Sequence, residues 1–235
     1  MEILFREILS RKMSIYILFF ILTPLTMFSQ TTVQIGTGTE IPSSTLYAPI
    51  YRFSATSTTT DCRANILFTA ADMASAGIPS GAIISKIEFN KTNAANFNTP
   101  ASIFNIRMGN SARTTLTTSD LWADILANHT TVFQSTSYNF PNPAGWVDMT
   151  LSTPFTYTGG SLEISFELKM GGSGAATDAF KWEYSLNTAN MIAAIASAGA
   201  TLTGNVSGYK HRPNIKITYT STPCVDPPTP GTSIT

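Results

Sequence analysis

The residues best suited to chemistry in this sequence are two carboxylates, Glu163 and Glu167, four positions apart in the stretch Ser161 to Leu168. Glycoside hydrolysis needs such a pair, one acid to protonate the leaving oxygen and one to attack or activate water, at a separation of roughly 5 to 9.5 Å. Here Leu162, Ile164, Phe166 and Leu168 alternate with Ser161, Glu163, Ser165 and Glu167. That is the period of a β-strand with one apolar and one polar side. Four residues of strand at about 3.3 Å each set the two backbones roughly 13 Å apart, too far for the reaction. The expectation is a solvated strand face.

Other reactive residue types are sparse. His129 and His211 are the two histidines, and Cys62 and Cys224 the two cysteines. None stand at metal-ligand spacing, so no metal centre is predicted. Serine and aspartate are available for a Ser-His-Asp triad, but no G-x-S-x-G elbow exists. The glycine-rich stretch 171–178, GGSGAATD, fits a phosphate-binding fingerprint poorly and leads into no good helix, so a loop is expected and no cofactor. An EF-hand-like run of alternating Asp and Asn is absent. Asn90, Asn128 and Asn205 each open an N-glycan acceptor triplet, a pattern that also arises by chance. What remains is aromatic. Phe180, Trp182 and Tyr184 fall on one side of an extended segment. Such a row is more often core, but Trp182 and Tyr184 are the candidate ligand residues, as a flat platform for a sugar ring.

The elements that must position these groups are short strands. Alternation recurs in 83–91, 102–111, 130–140, 145–151, 161–168, 179–185 and 214–220, with weaker strand signals at 32–35, 47–53 and 64–69. Gly159 and Gly160 supply the conformational freedom for a tight reversal between the strands that flank them. Ala70 to Gly77 reads as one helical turn closed by the glycine. A second, two-turn helix is predicted from Leu121, Trp122, Ile125 and Leu126 on one face, with Thr118 or Ser119 as cap and Asp120 in its first turn. Asn190 to Ala200 stays open between helix and strand, because alanine favours the first and its position the second. Roughly nine strands with turn residues between them predict an all-β chain, an antiparallel two-sheet β-sandwich of jelly-roll-like kind with one or two short helices.

The 235 residues suffice for one sizeable β domain. Charged residues are only 12% and the 14 bases balance the 14 acids, so the clustered cations that nucleic-acid binding needs are absent. Arg6, Arg11 and Lys12, an apolar run from Ile15 to Leu22, Pro24 and the small Ser29 compose a secretory signal peptide over 1–29. The apolar segment is short for a membrane span and interrupted by proline, so a membrane is expected only through this leader. Met13 is an alternative start. Residues 30–220 form the predicted domain. The stretch 221–235 holds four prolines and reads as an extended linker to a following domain. Export permits a Cys62–Cys224 disulfide, closing a loop of about 160 residues, but Cys224 lies in the linker and could instead pair with a partner further along.

Taken together, the leader ending FSQ before TTVQIGTGT, the segment FTAADMASAG, the stretch GWVDMTLSTPFTYTGGSLEISFEL and the closing YKHRPNIKITYT resemble a family of exported Bacteroidota modules. The likeness spans Thr31 to Thr220. Such modules stand at the front of large surface or secreted proteins, ahead of fibronectin type III or Ig-like repeats and a type IX secretion signal. The resemblance implies location and architecture and supplies no catalytic residues. The expected function is a non-catalytic cell-surface or secreted module for adhesion, binding of a glycan or surface-protein ligand, or domain spacing. The alternative is the accessory domain of a secreted hydrolase whose catalytic domain lies beyond Thr235. If the leader is cleaved after Ser29, N-terminal sequencing of the exported protein will begin at Gln30; a chain retaining Arg6 to Leu22 would refute cleavage.

Overall fold

The computed structural model describes residues 29–42, 48–170, 176–197 and 209–221. The described residues are all-β, with every strand pair antiparallel. A four-stranded sheet has the order β1 (Gln30–Ile35), β11 (Ile215–Thr220), β3 (Ile83–Lys91), β6 (Gly145–Thr156). A five-stranded sheet has the order β5 (Thr130–Ser135), β4 (Ile103–Ser111), β7 (Ser161–Lys169), β2 (Asp61–Phe68), β9 (Ile192–Ser197). A short ribbon pairs β8 (Tyr184–Leu186) with β10 (His211–Pro213). Two helices complete the described elements, α1 (Ala70–Ser75) and α2 (Trp122–Asn128).

The apolar rows of the two large sheets close against each other. Ile84, Ile87, Phe89, Val147, Met149, Ile215 and Ile217 from one sheet share a buried core with Ala64, Ile66, Phe104, Ile106, Ile164 and Phe166 from the other. Phe89 meets Phe166 edge-on at 5.6 Å between ring centres, the favoured geometry for rings of opposite edge and face polarity.

Several local expectations are revised. The strands flanking Gly159 and Gly160 do not pair with each other: β6 joins β3, β7 joins β4 and β2, and the turn carries the chain from one sheet to the other. The segment 48–53 forms no strand, yet its Ile50 and Phe53 are fully buried. The open stretch after Asn190 is extended, because Ile192–Ser197 finds the free edge of β2. The helix α2 begins at Trp122 with Leu121 at its N-cap and no side-chain cap. Asp120 cannot serve its first turn, since Arg113 holds its carboxylate at 2.5 Å and Thr117 at 2.7 Å.

The polar side of β7 is not solvated. Glu163 and Ser165 are 4% and 0% exposed. A second apolar cluster of Leu67, Leu116, Trp122, Ile125, Met191 and Ala193 closes over this outer face. Strand alternation identifies two sides of a strand, but it cannot say that a helix will cover the second.

Two buried cations fasten the ends of the sandwich. Lys91 is 0% exposed, and its ammonium donates to the carbonyls of Ala95 and Pro141 and, at 3.1 Å, of Asn142. Arg212 donates to both carboxylate oxygens of Asp72, at 2.6 and 3.0 Å, and lies 4.8 Å over the ring of Phe68. Asp72 is also the partner of the N-cap Thr69 in a capping box. Burial pushes the Asp72 carboxyl up, but Arg212 and Thr69 outweigh it and hold it at about 2.

Two outcomes follow from these clamps. Lys91→Met leaves the Ala95 and Pro141 carbonyls without their donor, while Asn142 O keeps the Ala95 N–H, and is expected to cost about 2–4 kcal/mol, read as a lowered urea midpoint. Because the Asp72 pKa is depressed on folding, its contribution is complete above the ordinary aspartate range and is lost as the pH falls towards about 2. Asp72→Asn should remove about 1–2 kcal/mol at neutral pH and flatten the acid limb of thermal stability against pH; an unchanged limb would contradict the clamp.

Candidate functional site

Two clefts in the described residues carry functional groups. The first has a volume of about 490 Å³ and is reached by Trp182 and Tyr184. Its position follows from strand pairing at the end of β3. The Thr92 N–H donates to Lys181 O, and the Glu183 N–H donates to Asn90 O, so Trp182 lies opposite Lys91 in an isolated bridge. The side chain of Asn93 secures the next turn, donating to Ala179 O at 2.9 Å and to Asp178 Oδ2 at 3.2 Å, and accepting from Lys181 N–H at 3.1 Å.

The predicted aromatic platform is corrected by this packing. Trp182 and Tyr184 are only 2% and 3% exposed. Trp182 is stacked on Phe180 at 6.3 Å and meets Phe140 edge-on at 5.7 Å, and the Tyr184 hydroxyl donates to Ala48 O at 2.6 Å. Burial pushes the Tyr184 hydroxyl pKa far above its ordinary value. Both rings are committed to the core and contribute only to the floor of the cleft. Its rim is made by residues that pattern reasoning did not single out: Arg52, Lys181 and Thr92, with an apolar lip of Ile41 and Pro42. Arg52 and Lys181 are exposed. They lie in segments 129 positions apart in number, so no local spacing could have joined them.

The second cleft, about 320 Å³, opens between α2, the loop before it and β7, and is reached by Glu163, His129, Arg113, Asp120 and Asp124. His129 Nδ1 is 3.0 Å from Ser165 Oγ, and its Nε2 is 3.7 Å from Glu163 Oε2. The ring lies so close to Gly109 that a Cβ there would fall 2.4 Å from His129 Cδ2. A serine, a histidine and a glutamate are therefore in series, as a hydrolytic triad requires. Their order relative to the opening is reversed, however: the cleft touches Glu163 and His129, while Ser165 is fully buried behind them.

Glu163 is also held in one protonation state. Burial pushes its carboxyl up, but His129, Asn65, Ser111 and the charge of Arg113 outweigh burial and hold it at about 2. Asn65 Nδ2 donates to it at 2.6 Å. A carboxylate so stabilised has no proton to give at neutral pH and is a weak base. Glu167 belongs to a separate cluster, accepting from Arg63 at 3.0 Å, Arg107 at 3.1 Å and Asn105 at 3.3 Å. Burial again opposes, and Asn105, Arg107 and Arg63 bring its pKa below the ordinary value. The two acids thus anchor two ion clusters. The signal for this was present in the sequence: Arg63 and Asn65, and Asn105 and Arg107, fall in the same phase of their strands as Glu163 and Glu167.

Cys62 is fully buried, and burial pushes its thiol up to about 12. Its predicted pairing with Cys224 lies outside the described residues, as do the leader 1–28, the glycine-rich residues 171–175 and the linker 222–235. His211 sits apart from both clefts, with Nε2 3.4 Å from Glu40 Oε2. Among the described residues no group of three or more His, Cys, Asp or Glu side chains could hold a metal ion, and no helix is long and apolar enough to cross a membrane.

No family model matches the chain, and no curated protein matches it. Among solved structures the chain is similar to the cysteine protease and lectin-like domains of Cwp84, a surface layer associated protein of Clostridium difficile, with a TM-score of 0.38 and 8% identity. The alignment covers 69% of this chain and 33% of that one. A likeness this distant carries no argument about function.

Proposed function

We propose that this chain is an exported, non-catalytic binding module that holds a glycan or a surface-protein ligand outside the cell, as the leading domain of a larger polypeptide. The observation that carries the reading is the cleft of about 490 Å³ beside Trp182. It has an apolar floor and lip with a few polar groups converging at the rim, the composition of a ligand pocket. The leader and the resemblance to Bacteroidota surface modules support its place in front of fibronectin type III or Ig-like repeats. The buried Ser165 and a Glu163 that is ionised at neutral pH support a role without turnover.

The purified full chain is expected to retain at least one glycan on an array or to adhere to whole cells, and to release no product from polysaccharide or ester substrates. Product release abolished by Glu163→Gln or His129→Ala would overturn the non-catalytic reading. No response on either the array or cells would overturn ligand binding in favour of a spacer.

A further inference from the structure

Five buried side-chain atoms of the described residues have no hydrogen-bond partner: Asn65 Oδ1, Asn105 Oδ1, Arg107 Nη1, Trp122 Nε1 and Trp182 Nε1. The first three belong to side chains whose other nitrogens hold Glu163 or Glu167, and Trp122 lines neither cleft. Trp182 differs, because it forms part of a cleft wall. An indole N–H that has left water is costly unless it meets an acceptor, and buried tryptophans usually find one. The other polar groups of this wall are already engaged. Arg52 has its partner within the protein, the Tyr184 hydroxyl donates to Ala48 O, and Thr92 Oγ1 donates to Lys181 O. Both ends of the Asn93 amide are taken by residues 178 to 181. The backbone is no freer, since the N–H groups of Thr92, Lys181, Glu183 and Tyr184 all have acceptors. A peptide that binds as an added strand needs open main-chain groups, so this wall does not suit one. What remains is one buried donor beside the apolar lip of Ile41 and Pro42, with Lys181 at the outer rim. That combination selects a carbonyl oxygen with a methyl group next to it. An acetamido substituent carries both, whereas a sugar hydroxyl would bring a hydrogen of its own to an apolar lip that offers no acceptor.

We infer that the Trp182 cleft takes an N-acetylated sugar, its acetamido oxygen accepting from the Trp182 indole N–H and its methyl lying against Ile41 and Pro42. This assignment rests on the binding role proposed above and narrows it to one ligand class. Ile41 is 50% exposed, and the bridge between Glu40 and Tyr184 fastens the lip one residue earlier. The lip can therefore part to admit the group without opening the core. Donor and ligand are both neutral, so salt screening leaves the affinity unchanged.

The test is calorimetric titration of the full chain with chitotriose, cellotriose and acetyl-trialanine amide, joined to the assigned indole N–H resonances of the nitrogen-15-labelled protein. The two saccharides share a backbone and differ in carrying acetamido or hydroxyl groups at C2. Trp182→Phe keeps a ring in the floor and removes the N–H, and Ile41→Ser strips the lip at an exposed position. Asp124→Ala, an exposed residue of the other cleft, is the control. Thermal melting establishes that each protein is folded; if Trp182→Phe is not, Ile41→Ser and the wild-type resonance decide. The expected result is chitotriose binding at least about tenfold tighter than cellotriose and unchanged at high salt. It should weaken about fivefold or more in both cleft variants, persist in the control, and move the Trp182 indole proton downfield. Equal binding of the two saccharides with that proton unmoved would overturn the acetamido class while leaving a binding module. Binding lost in Asp124→Ala and kept in both cleft variants would overturn the cleft assignment. The peptide amide binding as tightly as chitotriose would overturn the saccharide class. Binding of none of the three, together with a silent glycan array, would overturn the assignment and the binding role together.

Discussion

The outer face of the five-stranded sheet is ionic and covered, and that combination constrains everything around it. A charge taken out of water is costly unless an opposite charge and hydrogen bonds replace the solvent. Once α2 lies over β7, Glu163 and Glu167 must each find partners within the protein. They do so across strands: Glu167 is gripped by Arg63 on β2 and Arg107 on β4, and Glu163 by Asn65 on β2 and by His129 and Arg113 around α2. These contacts demand one register of β2, β7 and β4, because a slip of one residue would exchange the ionic row with the apolar row. The same network that removes these acids from chemistry therefore fixes the pairing of the central strands.

At the opposite end the constraint is aromatic. Phe53, Phe97, Phe140, Phe180 and Trp182 pack mostly edge-on within about 6 Å of one another, and Lys91 reaches beneath them, 5.6 Å from the Phe180 ring. The irregular segment 48–53 joins this cluster through Phe53, and 179–183 joins it through Phe180 and Trp182 in addition to its hydrogen bonds with Asn90 and Thr92 at the end of β3. That leaves their polar and charged residues at the surface, where Arg52 and Lys181 edge a cleft. A rigid core under a loop-built rim is how β-sandwiches vary their ligands without altering their fold.

Much of the fold is legible in the sequence. The alternation in β3, β4, β7 and β11, the Ala70 to Gly77 helical turn and the apolar face of Trp122 and Ile125 each correspond to an element whose packing they anticipate. What alternation cannot supply is the third dimension. It does not say that β6 and β7, contiguous in the chain, enter opposite sheets, nor that a two-turn helix will cover the charged side of a strand. The site was harder to read for the same reason. Trp182 and Tyr184 are conspicuous by type, but their rings go inward. The residues at the rim are ordinary surface types whose meeting depends on the fold.

The first and last of the described strands are also neighbours. β1 and β11 pair from Gln30 opposite Thr220 to Ile35 opposite Ile215, so both ends of the domain emerge side by side from one margin of the four-stranded sheet. Tension applied through those ends would not shear the whole ladder at once. It would peel β1 from β11 rung by rung, starting at Gln30 and Thr220. In a chain of tethered domains, such a unit would yield early under load and let out length while the ionic and aromatic cores deeper inside remain closed.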